Sequence, residues 1–273
     1  MIAKILVQCL LITCVYAISK HPILIVVSYD AFRYTSFDTE LVPNMKRLKN
    51  VGTYADHLIN VFPTKTFPNH HSIATGLYPK CTVSSVTAIT ILTMERRSRR
   101  RSIFRDYDVA RASFPYQGQN ITYIKTFQPD YDWSERVKTV ISWITDDEKP
   151  ANLVMLYFEE PDTHGHAFGP DSEIVNELIE KLDNITLYLE EQLEQHNLSD
   201  KVNVIHLSDH GMVSVTPPYF INITQYLKNG TYEWTGASPC IQIIPHDGYE
   251  DEIYKSLKAG SEKQGHFTVF KKS

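Results

Sequence analysis

Short runs of apolar residues alternate along the chain with longer stretches in which apolar residues recur every three or four positions. The short runs predict three buried strands of a parallel sheet, Ile23–Ser28, Leu153–Phe158 and Val202–Leu207. The helical spacing predicts three helices, Val42–Lys49, Trp133–Ile144 and Ile174–Gln195. Strands that alternate with helices favour an α/β fold, with a largely parallel sheet flanked by helices in one domain.

The first residues have the pattern of a targeting segment. Lys4 supplies a positive charge ahead of the apolar run Ile5–Ala17, which ends in small residues. This run is too short to span a bilayer comfortably, so it predicts a cleaved signal peptide at residues 1–17 rather than a membrane anchor. Residues 18–273 would then form a domain that is secreted or lies on the extracellular face of the plasma membrane.

Glycosylation signals agree with secretion. Asn-x-Ser/Thr acceptor sequences begin at Asn120, Asn184, Asn197, Asn222 and Asn229. Cys9 and Cys14 belong to the predicted signal peptide. Cys81 and Cys240 could pair in an oxidising compartment or have other partners, so cysteine usage does not indicate a function.

The net charge of −5 is too small for long-range attraction to nucleic acid, and we expect no binding to duplexes. One basic run, Arg96–Arg101, stands apart from this balance. It has no interleaved aromatic residues, and such runs are usually solvated rather than binding patches. Proteolytic processing at this run stays open as an alternative.

Each predicted strand is followed by side chains that can bind metal. The five candidates are Asp30 after the first strand, Asp162 and His166 after the second, and Asp209 and His210 after the third. Each alone could be structural, since aspartate often caps a helix. The carboxyl ends of parallel strands line one crevice, however, so three distant segments could deliver these residues to one place. Carboxylates with imidazoles suit zinc, and this number of ligands suits two ions.

A threonine in the segment between the first two strands is a candidate nucleophile. Pro68 is suited to the first turn of a helix, which would place Thr66 near a helix N-terminus, where backbone N–H groups attract anions. A hydroxyl becomes nucleophilic at neutral pH when a bound metal lowers its pKa. The alternative is that Thr66 merely caps the helix.

Five motifs in this order resemble one family. They are Asp30, Pro63–Asn69, Thr75–Pro79, Glu159–His166 and Ser208–Met212. Together they resemble the ecto-nucleotide pyrophosphatase/phosphodiesterases of the alkaline phosphatase superfamily, over about residues 22–80 and 114–270. The resemblance implies an alkaline-phosphatase-like fold and zinc-dependent hydrolysis of nucleotide phosphodiester or pyrophosphate bonds. The implied partner is a nucleotide or another small phosphodiester.

The resemblance also implies roles for individual residues. One zinc ion would have four protein ligands, Asp30, Thr66, Asp209 and His210. A second zinc ion would be held by Asp162 and His166. Thr66 would be the nucleophile that is transiently nucleotidylated. Phe67 would stack on the nucleobase, and Phe127 falls where the family has a second stacking aromatic residue.

The chain departs from the family pattern in two places. The family has a His-Gly-Ile stretch and an oxyanion-stabilising Asn where this chain has Lys80–Thr87, with Thr87 at the Asn position. By this resemblance, residues 81–112 are expected to be aberrant, with Ala88–Ala112 in place of several dozen family residues that include part of the substrate pocket. The chain also stops at Ser273, before a Gly-x-His-Gly segment that supplies the third ligand of the second zinc. We therefore expect an incomplete catalytic domain with impaired activity.

Other functions stay open at this stage. The pocket segment that would select lysophospholipid or choline phosphodiesters is the one that is replaced. A non-catalytic secreted glycoprotein fragment would carry the same departures. Sulfatases are disfavoured because Thr66 has no Cys-x-Pro-x-Arg context, and phosphomonoesterases are disfavoured because no Arg flanks Thr66.

Overall fold

A sheet of five strands runs through the part of the chain that the computed structural model describes, which is residues 22–76, 78, 110–112, 122–125, 128, 130–215, 220–238 and 240–271. Its strands are β1 (Ile23–Tyr29), β2 (Ala110–Ala112), β3 (Tyr123–Lys125), β4 (Leu153–Phe158) and β5 (Val202–Leu207). They are ordered β3-β2-β4-β1-β5. The strand β1 is parallel to both β4 and β5, whereas β2 is antiparallel to its two neighbours. A separate antiparallel pair joins β6 (Tyr232–Ala237) to β7 (Cys240–Pro245).

Six α-helices accompany these strands in the described residues. They are α1 (Pro43–Val51), α2 (Thr66–Thr75), α3 (Trp133–Ile144), α4 (Asp162–Phe168), α5 (Glu173–Gln195) and α6 (Glu250–Gln264). Short 3-10 helices occupy Tyr34–Asp38 and Ile223–Tyr226. The three predicted helices and three predicted strands are confirmed, with ends that agree to within two residues. The α/β fold with a largely parallel sheet is therefore confirmed.

The core lies between the strands β1 and β4 and the helices α3 and α5, which also pack against each other. Each helix buries one apolar stripe, because its apolar residues recur at helical spacing. Fully or nearly fully buried members of the core include Ile25, Val27, Val137, Val140, Ile144, Val154, Leu156, Ile179, Leu182 and Leu189. Burial of each such side chain stabilises the fold by roughly 1.5–3 kcal/mol relative to exposure.

The strand β5 differs from its prediction as a buried strand. Ile205 is 47% exposed, and the residues of β5 alternate between exposed and half-buried. Successive side chains of a strand point to opposite faces of the sheet, and the face that carries Asn203 and Ile205 is exposed along β5, which among the described strands pairs with β1 alone at one edge of the sheet. An apolar run predicts a strand, but it does not show whether both faces of that strand are covered by other parts of the fold.

A chain of hydrogen bonds ties β5 to β1 and to α5. The Thr186 hydroxyl donates to the Leu182 carbonyl at 3.0 Å, so Thr186 Oγ1 accepts from the Tyr29 hydroxyl at 2.7 Å. Tyr29 in turn accepts from Nδ1 of His206 at 2.9 Å. Burial lowers the pKa of His206 to about 4, which keeps its ring neutral at pH 7. Tyr29 is thereby fixed at the end of β1, next to Asp30.

Some predictions fall on residues outside the described ranges. These are the signal peptide at 1–17, the basic run Arg96–Arg101, and the residues Cys81, Thr87, Asn120 and Phe127. Of the segment 81–112, the structure describes its last three residues, which form β2. None of the helices in the described residues has the length and apolar character needed to cross a membrane.

The first turn of α1 is capped from another helix. Its own N-cap residue, Val42, has no polar side chain, and no side-chain cap is formed there. Instead, Asp183 on α5 accepts from the backbone N–H of Asn44 at 3.1 Å and from that of Met45 at 2.8 Å. It also accepts from the Asn44 side chain at 2.7 Å. A buried carboxylate therefore satisfies the free N–H groups of α1 and interacts favourably with its helix dipole.

We predict that Asp183→Ala lowers the free energy of unfolding by about 1–3 kcal/mol, because it leaves buried donors of α1 without an acceptor. Urea denaturation of the purified chain measures this. The matched control is Glu180→Ala, which removes an exposed carboxylate from the same helix and should change stability by less than about 0.5 kcal/mol. An equal effect of both substitutions would contradict the capping role.

Candidate metal centre

Asp30 is held at the carboxyl end of β1 by its backbone. Its N–H donates to the Phe158 carbonyl at 2.9 Å, which continues the parallel pairing of β1 with β4 by one residue. Its own carbonyl accepts from the Asp162 N–H at 3.1 Å. The side chain is 2% exposed. The pairing of the two strands thus places Asp30 and Asp162 side by side.

Asp209 follows β5 and is fully buried. Its Oδ1 accepts from the backbone N–H of Ala31 at 3.2 Å and from that of His210 at 2.9 Å. Ala31 has a φ of 59°, a conformation that is uncommon for residues other than glycine, and this turn directs its N–H to Asp209. The Asn60 side chain donates to the Asp209 carbonyl. Both backbone and Oδ1 are therefore fixed, and Oδ2 is left to face the crevice.

His210 presents an unprotonated nitrogen to the same crevice. Its Nδ1 lies 3.0 Å from the Gly211 carbonyl, and because a carbonyl can only accept, Nδ1 carries the proton. The lone pair of Nε2 then lies 3.3 Å from Asp30 Oδ1 and 3.5 Å from Asp209 Oδ2. This is the orientation in which a neutral histidine binds a metal.

Thr66 is the first residue of α2 and not its cap. The N-cap position belongs to Lys65, so the alternative in which Thr66 caps the helix is wrong. Pro68 lies in the first turn, as predicted. The Thr66 hydroxyl lies 3.1 Å from Nε2 of His210 and donates to it. The structure therefore brings Thr66 into the same cluster as the residues that follow β1 and β5.

The cluster has the properties of a site for a divalent cation. Asp30, Asp209 and His210 each offer a ligand atom, and these atoms lie within 4.8 Å of one another. Asp30 Oδ1 and Asp209 Oδ2 are buried and have no hydrogen-bond partner, which is costly for a carboxylate unless a cation pairs with it. Burial first, and then the charges of Asp209 and Asp162, raise the pKa of Asp30 far above its usual range. The residues thus fit a metal ion, and the mixture of carboxylate and imidazole suits zinc.

Asp162 and His166 form a second, more open pair on α4. His166 Nε2 lies 3.4 Å from Asp162 Oδ1, which is buried and has no hydrogen-bond partner. The His166 side chain is 75% exposed. Burial raises the pKa of Asp162. This pair adjoins the first cluster, because the Asp162 charge also acts on Asp30.

Gly165, between these two residues, is in close contact with the loop after β5. A Cβ at Gly165 would lie 2.6 Å from the sulfur of Met212, so a side chain at this position would require the flexible Met212 side chain to move.

Two site residues were not assigned a role from the sequence. His70 lies one turn after Thr66 on α2, a spacing that places both on one face and could have indicated it. Tyr157 lies on β4 and donates to Asp30, and no sequence signal connects these two residues.

Phe67, the predicted stacking residue, is half-buried beside Thr66.

The fold and the site together define an α/β protein with a candidate carboxylate–histidine metal site at the carboxyl ends of parallel strands, next to Thr66. The family model described as type I phosphodiesterase / nucleotide pyrophosphatase matches residues 24–82 and 89–273. The chain belongs to this family. The second part of the match begins within the segment 81–112.

Curated relatives agree with this assignment. The chain is 29% identical to bis(5'-adenosyl)-triphosphatase ENPP4 of Pongo abelii, over 93% of this chain and 61% of that protein. It is also 29% identical to human ectonucleotide pyrophosphatase/phosphodiesterase family member 5, over 91% of this chain and 56% of that protein. The chain thus spans less than two thirds of the length of these relatives.

A solved structure shows the same fold. An inactive threonine-to-alanine variant of murine ectonucleotide pyrophosphatase/phosphodiesterase 5, in complex with AMP, superposes with a TM-score of 0.69 and 26% identity. The superposition covers 88% of this chain and 70% of that one. The predicted membership of the ecto-nucleotide pyrophosphatase/phosphodiesterases is therefore confirmed.

We predict that the cluster of Asp30, Asp209 and His210 binds zinc more tightly than the pair of Asp162 and His166. Asp209→Asn should weaken the tighter zinc site by more than about 100-fold, since even outer-shell changes cost 10–100-fold. His166→Asn should change that site by no more than a few-fold, because His166 is exposed and belongs to the other pair. Chelator competition with purified protein measures both affinities. Equal losses of zinc affinity in the two variants would contradict this predicted difference between the two sites.

Proposed function

We propose that this chain is a zinc-dependent phosphodiesterase that hydrolyses nucleotide phosphodiester or pyrophosphate bonds and releases a nucleoside monophosphate. The observation that carries the proposal is the position of Thr66. Its hydroxyl stands at the N-terminus of α2, 3.1 Å from Nε2 of His210, beside two carboxylate oxygens that have no hydrogen-bond partner. Membership of the type I phosphodiesterase family supports the reaction class.

The residues of the cluster suit an attack on phosphorus. The first N–H groups of α2 have no partner within the helix and attract an anionic phosphoryl group to Thr66. A zinc ion held by Asp30, Thr66, Asp209 and His210 would lower the pKa of the Thr66 hydroxyl and add positive charge next to the phosphate. After its hydroxyl proton passes to solvent, Thr66 Oγ1 bonds to phosphorus as the bond from phosphorus to the leaving-group oxygen breaks, and that oxygen takes up a proton from water. In a second step a water oxygen bonds to phosphorus as the bond to Thr66 Oγ1 breaks, the water gives up a proton, Thr66 regains one, and the monophosphate is released.

The relatives support a nucleotide as the substrate. One is named a bis(5'-adenosyl)-triphosphatase, and the murine structure binds AMP after a threonine is replaced by alanine. We assign nucleobase stacking to Phe67, which follows Thr66. The second stacking role, predicted for Phe127, stays a prediction, and so does the impaired activity of this chain.

The second zinc ion is proposed to bind Asp162 and His166. These two side chains are its protein donors in the described part of the chain, and one of them is mostly exposed. Two donors do not normally hold zinc tightly, so this observation favours a second candidate, a glycoprotein that binds one zinc ion without turnover. Lysophospholipid and choline phosphodiesters stay alternatives as substrates.

Secretion or display on the extracellular face is also part of the proposal. Four acceptor asparagines are exposed in the described residues, Asn184, Asn197, Asn222 and Asn229. Asn184 lies within α5, and Thr186 of its acceptor sequence is buried and hydrogen-bonded to Tyr29. A glycan at Asn184 would therefore be attached before α5 folds against the sheet.

We predict that any hydrolysis of a chromogenic nucleotide diester by this chain is lost in Thr66→Ala, because the substitution removes the oxygen nucleophile. Thr66→Ser keeps a hydroxyl and should retain part of the rate. The matched control is Thr64→Ala, which makes the same change at an exposed position two residues earlier, before α2 begins, and should leave the rate unchanged. Full activity of Thr66→Ala would contradict the proposed mechanism.

A further inference from the structure

One carboxylate oxygen of Asp30 accepts a hydrogen bond from a tyrosine. The Tyr157 hydroxyl donates to Asp30 Oδ2 at 2.5 Å. The other oxygen, Oδ1, has no hydrogen-bond partner and lies 3.3 Å from His210 Nε2. Because a carboxylate can rotate about its Cβ–Cγ bond, a donor on one oxygen determines which oxygen faces the ligand cluster. Tyr157 thus selects Oδ1 as the ligand atom.

His70 contacts two other residues of the cluster, Thr66 and Asp209. Its Nδ1 lies 3.0 Å from the Thr66 carbonyl, so Nδ1 carries the proton and donates. Its Nε2 then accepts from the Ser28 hydroxyl at 2.8 Å. Nδ1 also lies 3.4 Å from Asp209 Oδ2, the ligand oxygen of the second carboxylate. The neutral His70 ring therefore connects Ser28 on β1 to Thr66 in the first turn of α2, and it lies next to Asp209.

The two rings pack against each other. The centroids of His70 and Tyr157 are 5.3 Å apart, and the ring planes meet at 80°, an edge-to-face contact. Tyr157 belongs to β4, His70 belongs to α2, and Ser28 belongs to β1. Three elements therefore meet at this contact, beside the ligand residues Asp30 and Thr66.

We propose that Tyr157 and His70 are a coupled pair of positioning residues for the metal centre, with Tyr157 orienting Asp30 and His70 orienting Thr66 and Asp209. The pair acts through the ligands and does not touch the ion. The identity of that ion as zinc rests on the proposed function. Outer-shell partners of this kind typically contribute 10–100-fold to metal affinity.

The test measures zinc affinity by chelator competition, without any assay of activity. Tyr157→Phe keeps the ring and removes the donor to Asp30, and we expect zinc affinity to fall by about 10–100-fold. The matched control is Tyr131→Phe, which removes a hydroxyl that lies 3.3 Å from Thr139 Oγ1 on α3. This control should bind zinc as the parent chain does. Thermal unfolding of the metal-free proteins separates a loss of affinity from a loss of stability.

A second variant tests the other ring through its partner. Ser28→Ala removes the hydroxyl that donates to His70 and keeps nearly the same volume, so zinc affinity should fall here too. In the double variant Tyr157→Phe with Ser28→Ala, the losses should not add, because the rings are in contact. The single variant Ser28→Ala also tests the positioning role if Tyr157→Phe fails to fold.

The outcomes separate this inference from the proposed function. If the parent chain binds zinc and the variants at Tyr157 and Ser28 bind it equally well, the positioning role is overturned and the zinc site stands. If the variants lose metal-free stability and keep zinc affinity, the two residues are structural and the inference is again overturned. If the parent chain binds no zinc, the proposed function fails, and the positioning role fails with it.

Discussion

The repulsion between two buried carboxylates is the constraint on which the rest of this site depends. Asp30 Oδ1 and Asp209 Oδ2 face the lone pair of His210 Nε2, and neither oxygen has a hydrogen-bond donor. Buried oxygens of this kind are unfavourable unless a proton or a cation lies among them. Burial, and after it the charges of Asp209 and Asp162, raises the pKa of Asp30. A divalent metal ion would satisfy all three groups at once.

The fold supplies the rigidity that keeps these groups together. Parallel pairing of β1 with β4 and β5 brings the strand ends to one edge, and the backbone of Asp30 bonds to both Phe158 and Asp162. The hydrogen-bond chain from His206 through Tyr29 to α5 anchors the residue before Asp30. A site held by strands and helices in this way is oriented before its ligand binds.

Much of this arrangement follows from the sequence, because it depends on periodicity along the chain. The strands before Asp30, Asp162 and Asp209 and the rule that parallel strands end at one edge predict the cluster. The edge position of β5 does not follow, since an apolar run carries no information on its neighbours. Tyr157 was missed for a similar reason, because its contact with Asp30 joins two strands through side chains alone.

The most direct test of the account is the position of zinc in crystals of this chain, determined by anomalous scattering at the zinc edge. The account predicts a strong peak with Asp30, Thr66, Asp209 and His210 as ligands, at about 2.0–2.2 Å from their oxygen and nitrogen atoms. A peak that lies elsewhere would contradict the account. So would the absence of any peak, with both carboxylates still unpaired at saturating zinc.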